Sequence, residues 1–567
     1  MKRFLLATAA LVAAVAIWTL VELPPRPVAL DSSWSDGTIA GVLHIHTNRS
    51  DGLSTPDEIA AAAAKAGLKF IVFTDHGDAT RAPDPPAYRS GVLCLDGVEI
   101  STSGGHYLAI GMGASPYPLA GESRDVVEDV ARQGGFGIAA HPDSPKSELQ
   151  WADWDTPIDG IELLNLDTSW RIHAAPGGQK YSLVRALFTY PVRSSETIGG
   201  LLRASDDLIE RWNHWLAQRP VIAVAGVDAH AKLVMIDSEV EAGRYSLPVP
   251  GYEASFRVLS VHVRPGAPLS GDAAVDAAAL LSAIRSGRLY TAVDAFASPA
   301  AFEFSASNGS GTVQQGQSLP VGGPVSLHVR HNAPPGFLAT LWRDGKALIE
   351  NDAREFSVDG GGAAGVYRVT IHDPRRPGAP PWIISNPIYV RDPHLSQPER
   401  RGPATSRLPL FDGHSSAGWS RESDAGSVSA IDAVQMVTGM ELRLRYGLTG
   451  GSAVGQYSGT AVETTSGVRG YDRVAFTIRA EHPMRLSIQV RAEVPNAPPE
   501  RWQRSIYIDA SDSERSVAFD DMRPVGVTHT PRATAENIRA IMFIVDTTNS
   551  KPGASGRIWL KNVRLER

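Results

Sequence analysis

The stretch Gly41-Val42-Leu43-His44-Ile45-His46 is the feature that most constrains how this chain can fold. Its apolar residues predict a buried strand, and His44 and His46 stand two positions apart at its end. Alternate side chains of a strand point to the same face, so both imidazoles can reach one metal ion. Histidine is a common ligand of zinc, iron and similar metals. Because a lone pair of this kind is more often a pair of hydrogen-bonded core residues, the interpretation depends on the rest of the chain.

Further segments of the chain carry the same residue types at or near the ends of apolar strands. The candidate ligands are His44, His46, Asp51, His76, Glu99, His106, His141, Asp228 and His230. Nine ligands exceed the four that a tetrahedral ion uses, and they suit two or three ions that share a bridging carboxylate. Burying so many titratable groups without a metal would be costly. The set therefore predicts a metal site with more than one ion.

Between about Gly37 and Ala297, apolar strands alternate with helices. Thr55-Pro56-Asp57-Glu58 has the capping-box pattern of a helix start, and Gly67 is placed to end that helix. The alternation predicts parallel strands joined by crossover helices. Since several strands end in ligand residues, those ends must converge, as they do at the carboxyl face of a β/α barrel. The sequence predicts an α/β barrel at 37–297 with a metal centre at its top.

The remaining sequence has the texture of β-structure. Short alternating strands with glycine turns predict a small β-sandwich at 298–392, and the Pro-, Arg- and Ser-rich stretch 393–409 predicts a linker. Alternation in 410–567 predicts about seven strands of a second sandwich or jelly roll. Phe411-Asp412-Gly413 with Trp419 resembles the opening of carbohydrate-binding sandwiches of the galactose-binding-like type. Trp419 or Trp502 could stack on a glycan, although packing in the core is the commoner role of such residues.

Composition and the amino end limit where the protein works. Lys2 and Arg3 precede the apolar segment 4–21, and prolines follow, so 1–27 is predicted to be a signal peptide or a membrane anchor in contact with the membrane. The positive-inside tendency places the rest of the chain in the periplasm or outside the cell. Cys94 is the only cysteine, which excludes an intrachain disulfide and a cysteine-rich zinc site. A net charge of −7 without a long basic tract gives no indication of nucleic-acid binding.

Five motifs, in this order, resemble the polymerase and histidinol phosphatase (PHP) family of metalloesterases. They are His44-Ile45-His46 with Ser50-Asp51-Gly52, Thr74-Asp75-His76, Gly97-Val98-Glu99-Ile100, Ala140-His141-Pro142 and Gly226-Val227-Asp228-Ala229-His230. The resemblance covers about 37–297. It implies a distorted seven-stranded β/α barrel and a site of two or three zinc, manganese or iron ions.

Carried over motif by motif, the resemblance also implies a role for each ligand. One ion would be held by His44, His46, Glu99 and Asp228, and Glu99 would bridge to a second ion shared with His106 and His141. Asp51, His76 and His230 would hold a third ion. Many family members have a histidine in place of Asp51. The resemblance therefore does not decide whether the third site holds an ion. Without a third ion, Asp51, His76 or His230 would instead protonate the leaving group.

From these features we expect a hydrolase that cleaves phosphomonoesters or phosphodiesters, small or polymer-linked, with a metal-activated hydroxide. Arg49, Arg171 and Lys232 are candidates to hold the phosphate, although such side chains are more often solvated. The insertion 167–219 would either cover the site or lie on the surface. Two alternatives stay open: a carbamate, ester or amide hydrolase with the same centre, and a non-catalytic envelope module whose sandwiches bind glycan.

Overall fold

The structure is a computed structural model that describes residues 1–31, 34–234, 246–361, 364–391, 402–411, 413–437, 439–451, 455–464 and 467–567. Asp392, which ends the predicted small sandwich, residues 393–401 of the predicted linker, and Asp412 lie outside the described residues. The chain divides into two compact units. Unit 1 comprises Met1–Gly77, Ala82–Gly113 and Val130–Gln397, and unit 2 comprises Asp78–Arg81, Ala114–Asp129 and Pro398–Arg567.

The helices of the described residues are α1 Lys2–Glu22, α2 Pro56–Lys65, α3 Ser123–Arg132, α4 Leu166–Ala174, α5 Lys180–Thr189, α6 Ser194–Gly199, α7 Asp206–Gln218, α8 Tyr252–Phe256 and α9 Ala273–Arg285. The strands up to residue 391 are β1 Val28–Ala29, β2 Ile39–Ile45, β3 Phe70–Phe73, β4 Ala87–Arg89, β5 Val92–Asp96, β6 Val98–Thr102, β7 Gly105–Ile110, β8 Phe136–Ala139, β9 Gly160–Asn165, β10 Ile222–Ala229, β11 Leu233–Val234, β12 Ser246–Leu247, β13 Ser260–Val263, β14 Leu289–Ala292, β15 Ala297–Ser298, β16 Phe302–Asn308, β17 Gly311–Gln314, β18 Ser318–Leu319, β19 Ser326–His331, β20 Leu338–Arg343, β21 Lys346–Asn351, β22 Glu355–Asp359, β23 Gly365–His372, β24 Ile383–Ser385 and β25 Ile388–Val390. Those that follow are β26 Arg407–Pro409, β27 Trp419–Ser423, β28 Val428–Met436, β29 Gly439–Gly447, β30 Tyr457–Glu463, β31 Arg473–Ala480, β32 Met484–Val494, β33 Ala497–Ile508, β34 Ser513–Ala518, β35 Arg523–Pro524, β36 Ile538–Asp546 and β37 Ser555–Glu566.

A mixed sheet forms the centre of unit 1. Its parallel strands pair in the order β5–β3–β2–β10–β9–β8. Because these strands are parallel, their carboxyl ends lie at one edge of the sheet. The hairpin of β6 and β7 departs from the expected parallel pattern, since β7 runs antiparallel to both β6 and β8. This reversal brings the start of β7 to the edge at which β8 ends. A single bridge between His76 and Glu99 joins the two flanks of that edge.

The helix signals predicted from the sequence have the expected structural basis. The Thr55 side chain and the Glu58 side chain form the capping box that starts α2. Gly67 follows the end of α2 with φ = 85°, a left-handed conformation that glycine adopts without a steric penalty. Asp272 caps the start of α9. Local side-chain chemistry therefore sets the helix ends, and burial of the apolar face stabilises the helices.

Residues 298–391 do not separate from the preceding strands as the predicted small sandwich would. β24 pairs with β14 over Tyr290–Ala292, and β23 and β25 continue from there. A further four-stranded sheet has the order β17–β16–β19–β22. The predicted boundary at 297/298 thus falls inside one compact unit, because backbone hydrogen bonds continue across it.

Unit 2 contains two six-stranded antiparallel sheets with a shared hydrophobic core, rather than about seven strands. Short strands such as β26, within the predicted linker, and β35 escaped prediction because they carry no clear alternation. Trp419 and Trp502 both belong to this core, which is the commoner of the two roles considered for them. Glycan binding by unit 2 stays a prediction, and Trp419 and Trp502 no longer support it.

Segment 114–129, expected within the barrel, is part of unit 2, where it supplies three carboxylates to a buried charge cluster. The arginine cluster consists of Arg485, Arg504, Asp125, Glu128 and Asp129. Arg485 donates from Nε to Asp129 at 2.8 Å, and its Nη1 lies 2.9 Å from an oxygen of Asp125. Arg504 pairs with Asp125 and Glu128. These long-range ion pairs explain why the segment groups with β32 and β33.

Two further parts of unit 1 bear on function. The predicted insertion 167–219 is mostly helical and contains α5, α6, α7 and nearly all of α4. Among the described residues, one helix, α1, is long and apolar enough to cross a membrane. The amino end is thus an apolar helix, as expected of a signal sequence or an anchor.

Candidate metal centre

The nine predicted ligands lie together at the edge where the parallel strands of unit 1 end. His44 lies in β2 and His46 directly follows it, while Asp228 lies in the neighbouring strand β10 and His230 directly follows that strand. The remaining ligands follow β3 (His76) and β8 (His141), lie in β6 (Glu99) and β7 (His106), or stand in the loop after β2 (Asp51). We call these nine residues the ligand cluster.

Glu99 lies at the centre of the ligand cluster and is buried. Its Oε1 is 2.8 Å from His106 Nδ1 and 2.9 Å from His141 Nε2. Its Oε2 is 3.3 Å from His44 Nε2 and 3.1 Å from His46 Nε2, and it also lies 3.3 Å from His76 Nδ1. The two oxygens thus face two different sets of imidazoles. A carboxylate in this arrangement is suited to bridge two cations.

Asp228 and Asp51 occupy opposite sides of His46. Asp228 Oδ1 lies 3.3 Å from His44 Nε2 and 3.5 Å from His46 Nε2. Asp51 lies 3.4 Å from His46 Nδ1 and 3.2 Å from His230 Nε2. Asp51, His76 and His230 are partly exposed, with 47%, 36% and 22% of their side-chain surface accessible. They form the solvent-facing side of the cluster.

The unpaired nitrogens of His46 provide a test of whether a cation fits here. Both Nδ1 and Nε2 of His46 are buried and make no hydrogen bond. A buried polar atom without a partner costs about 1–3 kcal/mol, so such atoms normally indicate a missing partner. Four sets have ligand atoms within 4.8 Å of one another: His46, Asp51, His76 and His230; His44, Glu99 and His141; His44, His46 and Asp228; His76, Glu99 and His106. These donors, imidazole nitrogens and carboxylate oxygens, suit zinc, manganese or iron.

The charged neighbours shift the pKa values inside the cluster. Burial alone would lower the pKa of His46, but the neighbouring carboxylates of Asp228 and Glu99 outweigh burial and raise the pKa to about 9. Burial alone would raise the pKa of Glu99, yet the surrounding imidazoles hold it well below its usual range. The carboxylates are therefore ionised, and protons or metal ions compete for the imidazoles.

Glu162, in β9, supports the cluster from behind and was not among the predicted ligands. Its Oε1 lies 2.8 Å from His44 Nδ1, which leaves His44 Nε2 directed toward Glu99 and Asp228. Its Oε2 accepts from the His141 amide at 2.7 Å and from Asn165 Nδ2 at 2.8 Å. A carboxylate behind a ligating histidine fixes the tautomer and the ring orientation. The one sequence signal for it was an acidic residue inside an otherwise apolar strand.

Gly226, in the neighbouring strand β10, makes the space for Glu162. A Cβ atom at position 226 would lie 1.8 Å from Glu162 Oε1. No side chain fits there unless Glu162 moves. The glycine of the last motif is therefore required by the carboxylate that supports His44.

Three ligands have a strained backbone. The φ angles of His44, His141 and Asp228 are 67°, 30° and 45°, in the left-handed region that favours glycine. Each such residue costs about 1 kcal/mol or more, and such residues concentrate at functional sites. The strain reorients the side chain at each strand end, which simple strand alternation does not predict.

Asp75 and Tyr252 hold the loops that carry the ligands. Asp75 accepts from the Thr47 amide at 2.7 Å and from the Ser50 hydroxyl at 2.6 Å, beside Asp51. Tyr252 Oη lies 2.8 Å from the His46 carbonyl oxygen and 3.1 Å from that of His230. These contacts link the loop after β2 to the end of β10.

The structure accounts for two of the basic residues considered for phosphate binding. Arg49 pairs with Asp84, and its Nη1 lies 3.5 Å from Asp96. Arg171 pairs with Asp167 and stacks over Trp170 at 4.8 Å. Both guanidinium groups are thus engaged by neighbouring acids, as structural arginines are. Lys232, two residues after His230, stays a candidate.

Comparison with solved structures finds carbohydrate-binding modules, the first of them from Clostridium thermocellum. The family 11 module of the cellulosomal cellulase Lic26A-Cel5E has a TM-score of 0.25 at 21% identity, over 29% of this chain and 95% of that chain. A family 30 carbohydrate-binding module has a TM-score of 0.23 at 12% identity, over 28% of this chain and 98% of that chain.

Curated relatives match part of the chain. An uncharacterized protein of Methanocaldococcus jannaschii, MJ1587, is 28% identical over 137 residues, which is 22% of this chain and 80% of that protein. The 3',5'-nucleoside bisphosphate phosphatase of Chromobacterium violaceum is 33% identical over 108 residues, which is 17% of this chain and 38% of that enzyme. Residues 43–103, which carry His44 through Glu99, match the family model of the PHP domain. The chain therefore contains a segment that is similar to the PHP domain.

Proposed function

We propose that this protein is a metal-dependent hydrolase that cleaves phosphoester bonds outside the cytoplasm. The observation that carries the proposal is the environment of Glu99, whose two oxygens face five imidazoles at 2.8–3.3 Å. The PHP domain and the similarity to a bisphosphate phosphatase of Chromobacterium violaceum support phosphoester chemistry. The apolar helix α1 supports an exported location.

We propose the nine residues of the ligand cluster as the metal ligands, with Glu99 as the bridge. Two or three divalent ions of zinc, manganese or iron, once bound, would supply Lewis acidity and an acidified water. Glu162 would keep the Nε2 of His44 deprotonated and directed inward. The strand pairing described above supports, in our proposal, the distorted seven-stranded barrel of the PHP family.

The solvent-facing side of the cluster is the place where we expect the substrate to react. His230 Nε2 and an oxygen of Asp51 lie 3.2 Å apart there, which is close enough for a hydrogen bond. If no third ion binds, we propose that His76 or His230 protonates the leaving oxygen, while Asp51, which is ionised, orients His230. Their partial exposure lets a small or polymer-linked phosphoester reach them.

The experiment that tests the proposed function combines metal analysis with a substrate panel. Full-length protein is analysed for zinc, manganese and iron, then assayed on aryl phosphates, nucleotides, phosphodiesters and aryl carbamates, before and after chelation. We expect about two or three equivalents of metal and phosphoester hydrolysis that chelation abolishes. Metal-dependent hydrolysis of carbamates alone would replace the phosphoesterase with the alternative hydrolase. Protein without tightly bound metal would overturn the proposal.

A further inference from the structure

Helix α5 presents an apolar face to solvent. Its residues Tyr181, Val184, Leu187 and Phe188 are exposed, and Val192 just beyond the helix is exposed too. Leu187 has 71% of its surface accessible. Spacings of three and four residues place the helical members on one side of the helix. We call these five residues the α5 face.

The carboxyl end of α1 lies against this same helix. The Trp18 ring packs edge-on against Phe188 at 5.5 Å and against Tyr181 at 6.4 Å. The Tyr181 hydroxyl donates to Glu22 at 2.9 Å, and the Arg193 guanidinium donates to the carbonyl of Pro24. The α5 face therefore sits at the level where α1 ends.

The properties of α1 identify that level as a membrane surface. A helix of 21 residues spans about 30 Å, the thickness of the hydrocarbon core. Lys2 and Arg3 favour a cytoplasmic start, which puts Trp18 near the outer surface, where tryptophan and tyrosine are enriched in membrane proteins. Helix α5 also contains Lys180 and Arg185 and no acidic residue, a composition that favours anionic headgroups.

We propose that α1 is retained as a membrane anchor and that the α5 face rests in the outer interface of the membrane that α1 spans. The occupant is the lipid bilayer. The contacts of Trp18 with Tyr181 and Phe188 join the α5 face directly to the apolar surface of α1. A cleaved α1 would remove the packing partner of Tyr181 and Phe188. This inference stands apart from the hydrolase activity.

The retained anchor is tested by intact mass. Full-length protein is extracted from the membranes of the producing cells, and its mass and amino-terminal peptides are measured. We expect residues 1–22 to be present. An amino terminus beyond Glu22 in the membrane fraction, or a soluble processed form, overturns the anchor.

Contact of the α5 face with lipid is tested by site-specific fluorescence. Cys94 is buried, so Leu187→Cys offers one accessible thiol for the environment-sensitive dye NBD. Full-length labelled protein is reconstituted into phosphatidylcholine–phosphatidylglycerol vesicles, with and without doxyl-labelled lipid. We expect roughly two-fold or greater emission enhancement with a blue shift, and quenching by doxyl lipid, as for groups buried about 5–10 Å into the headgroup boundary.

The matched control is Leu348→Cys in β21, an exposed leucine with 44% of its surface accessible that pairs with no part of α1 among the described contacts. Its dye should keep an aqueous spectrum. Val184→Cys repeats the measurement on the α5 face if Leu187→Cys fails to fold. Emission at both α5 positions equal to that of the control overturns the proposal, as would emission that changes only when a protein extract is added.

Discussion

The ligand cluster of unit 1 and the arginine cluster of unit 2 are both partly buried groups of charged side chains, yet they are built differently. In the arginine cluster, Arg485 and Arg504 supply fixed positive charges that face Asp125, Glu128 and Asp129. In the ligand cluster, the positive charges that face the three carboxylates come from imidazoles, whose charge depends on protons. The arginine cluster also has its hydrogen bonds made within the protein, whereas His46 has two unpaired nitrogens. A buried cluster that lacks a fixed cation is the one that calls for an external ion.

The largest expected effect is that of Glu99→Gln, which removes the charge at the centre of the ligand cluster. We expect loss of bound metal and a decrease in kcat/KM of about 1000-fold or more, comparable to losing a main stabiliser of transition-state charge. Elemental analysis and steady-state kinetics measure both. Glu350→Gln, an exposed carboxylate in β21, is the matched control. Wild-type metal content in Glu99→Gln would show that the two clusters do not differ as described.

The next effect is on stability and concerns the arginine cluster. Arg485→Met removes the guanidinium that pairs with Asp129 and leaves Asp125 with Arg504 alone; breaking a buried ion pair typically costs about 3–5 kcal/mol. The unfolding transition of unit 2 should move to a lower urea concentration, while the metal content stays unchanged. The triple change Arg485→Met with Asp125→Leu and Asp129→Leu should recover most of the stability, because paired charges are replaced together. An unaffected transition in the single variant contradicts this account.

A smaller effect is expected from Glu162→Gln. The side chain keeps its size but loses the charge that orients His44, so metal affinity should fall about 10–100-fold. Competition with a chelating dye gives the dissociation constant of the metal. The metal affinity of Glu162→Asp should lie between that of the wild type and that of Glu162→Gln. The unfolding transition of the metal-free protein serves as the control for a purely structural effect. Unchanged affinity would remove Glu162 from the supporting role.

The smallest effect contrasts imidazoles in two surroundings. Burial lowers the pKa of His262 to about 4, whereas the carboxylates of the ligand cluster raise that of His46 to about 9. In the unfolded chain His262 takes up a proton near its usual pKa of ~6.5, so its stabilising contribution is complete above that value and is lost as pH falls toward 4. At about pH 5.5 the loss should be about 1 kcal/mol. The difference in unfolding free energy between wild type and His262→Gln, measured against pH, checks this; parallel curves would refute it.

Much of the fold and of the ligand cluster follows from local sequence. The capping box at Thr55 and the end of the same helix at Gly67 were both predicted, because side-chain chemistry and backbone preference determine them locally. The candidate ligands were expected to meet because parallel strands end at one edge. This is why motifs almost 190 residues apart, at His44 and His230, meet in space.

Other features depend on contacts that sequence periodicity does not encode. Asp125 pairs with Arg485 across 360 positions, so the placement of 114–129 in unit 2 had no local signal. Glu162 looked like any acidic residue in a strand until its neighbour Gly226 was seen to leave room for it. The left-handed backbone at His44, His141 and Asp228 is likewise imposed by the surrounding structure rather than by residue preference.

The lack of a side chain at Gly226 determines how this centre tolerates substitutions. Replacing one hydrogen by a methyl group there would push the Glu162 carboxylate sideways and, through it, tilt the ring of His44. Position 226 is not itself a candidate ligand. It nevertheless determines the orientation of the His44 ring, because it contacts Glu162 and Glu162 in turn contacts His44. A screen of natural variation or of designed libraries should therefore find this site as intolerant as the ligands themselves.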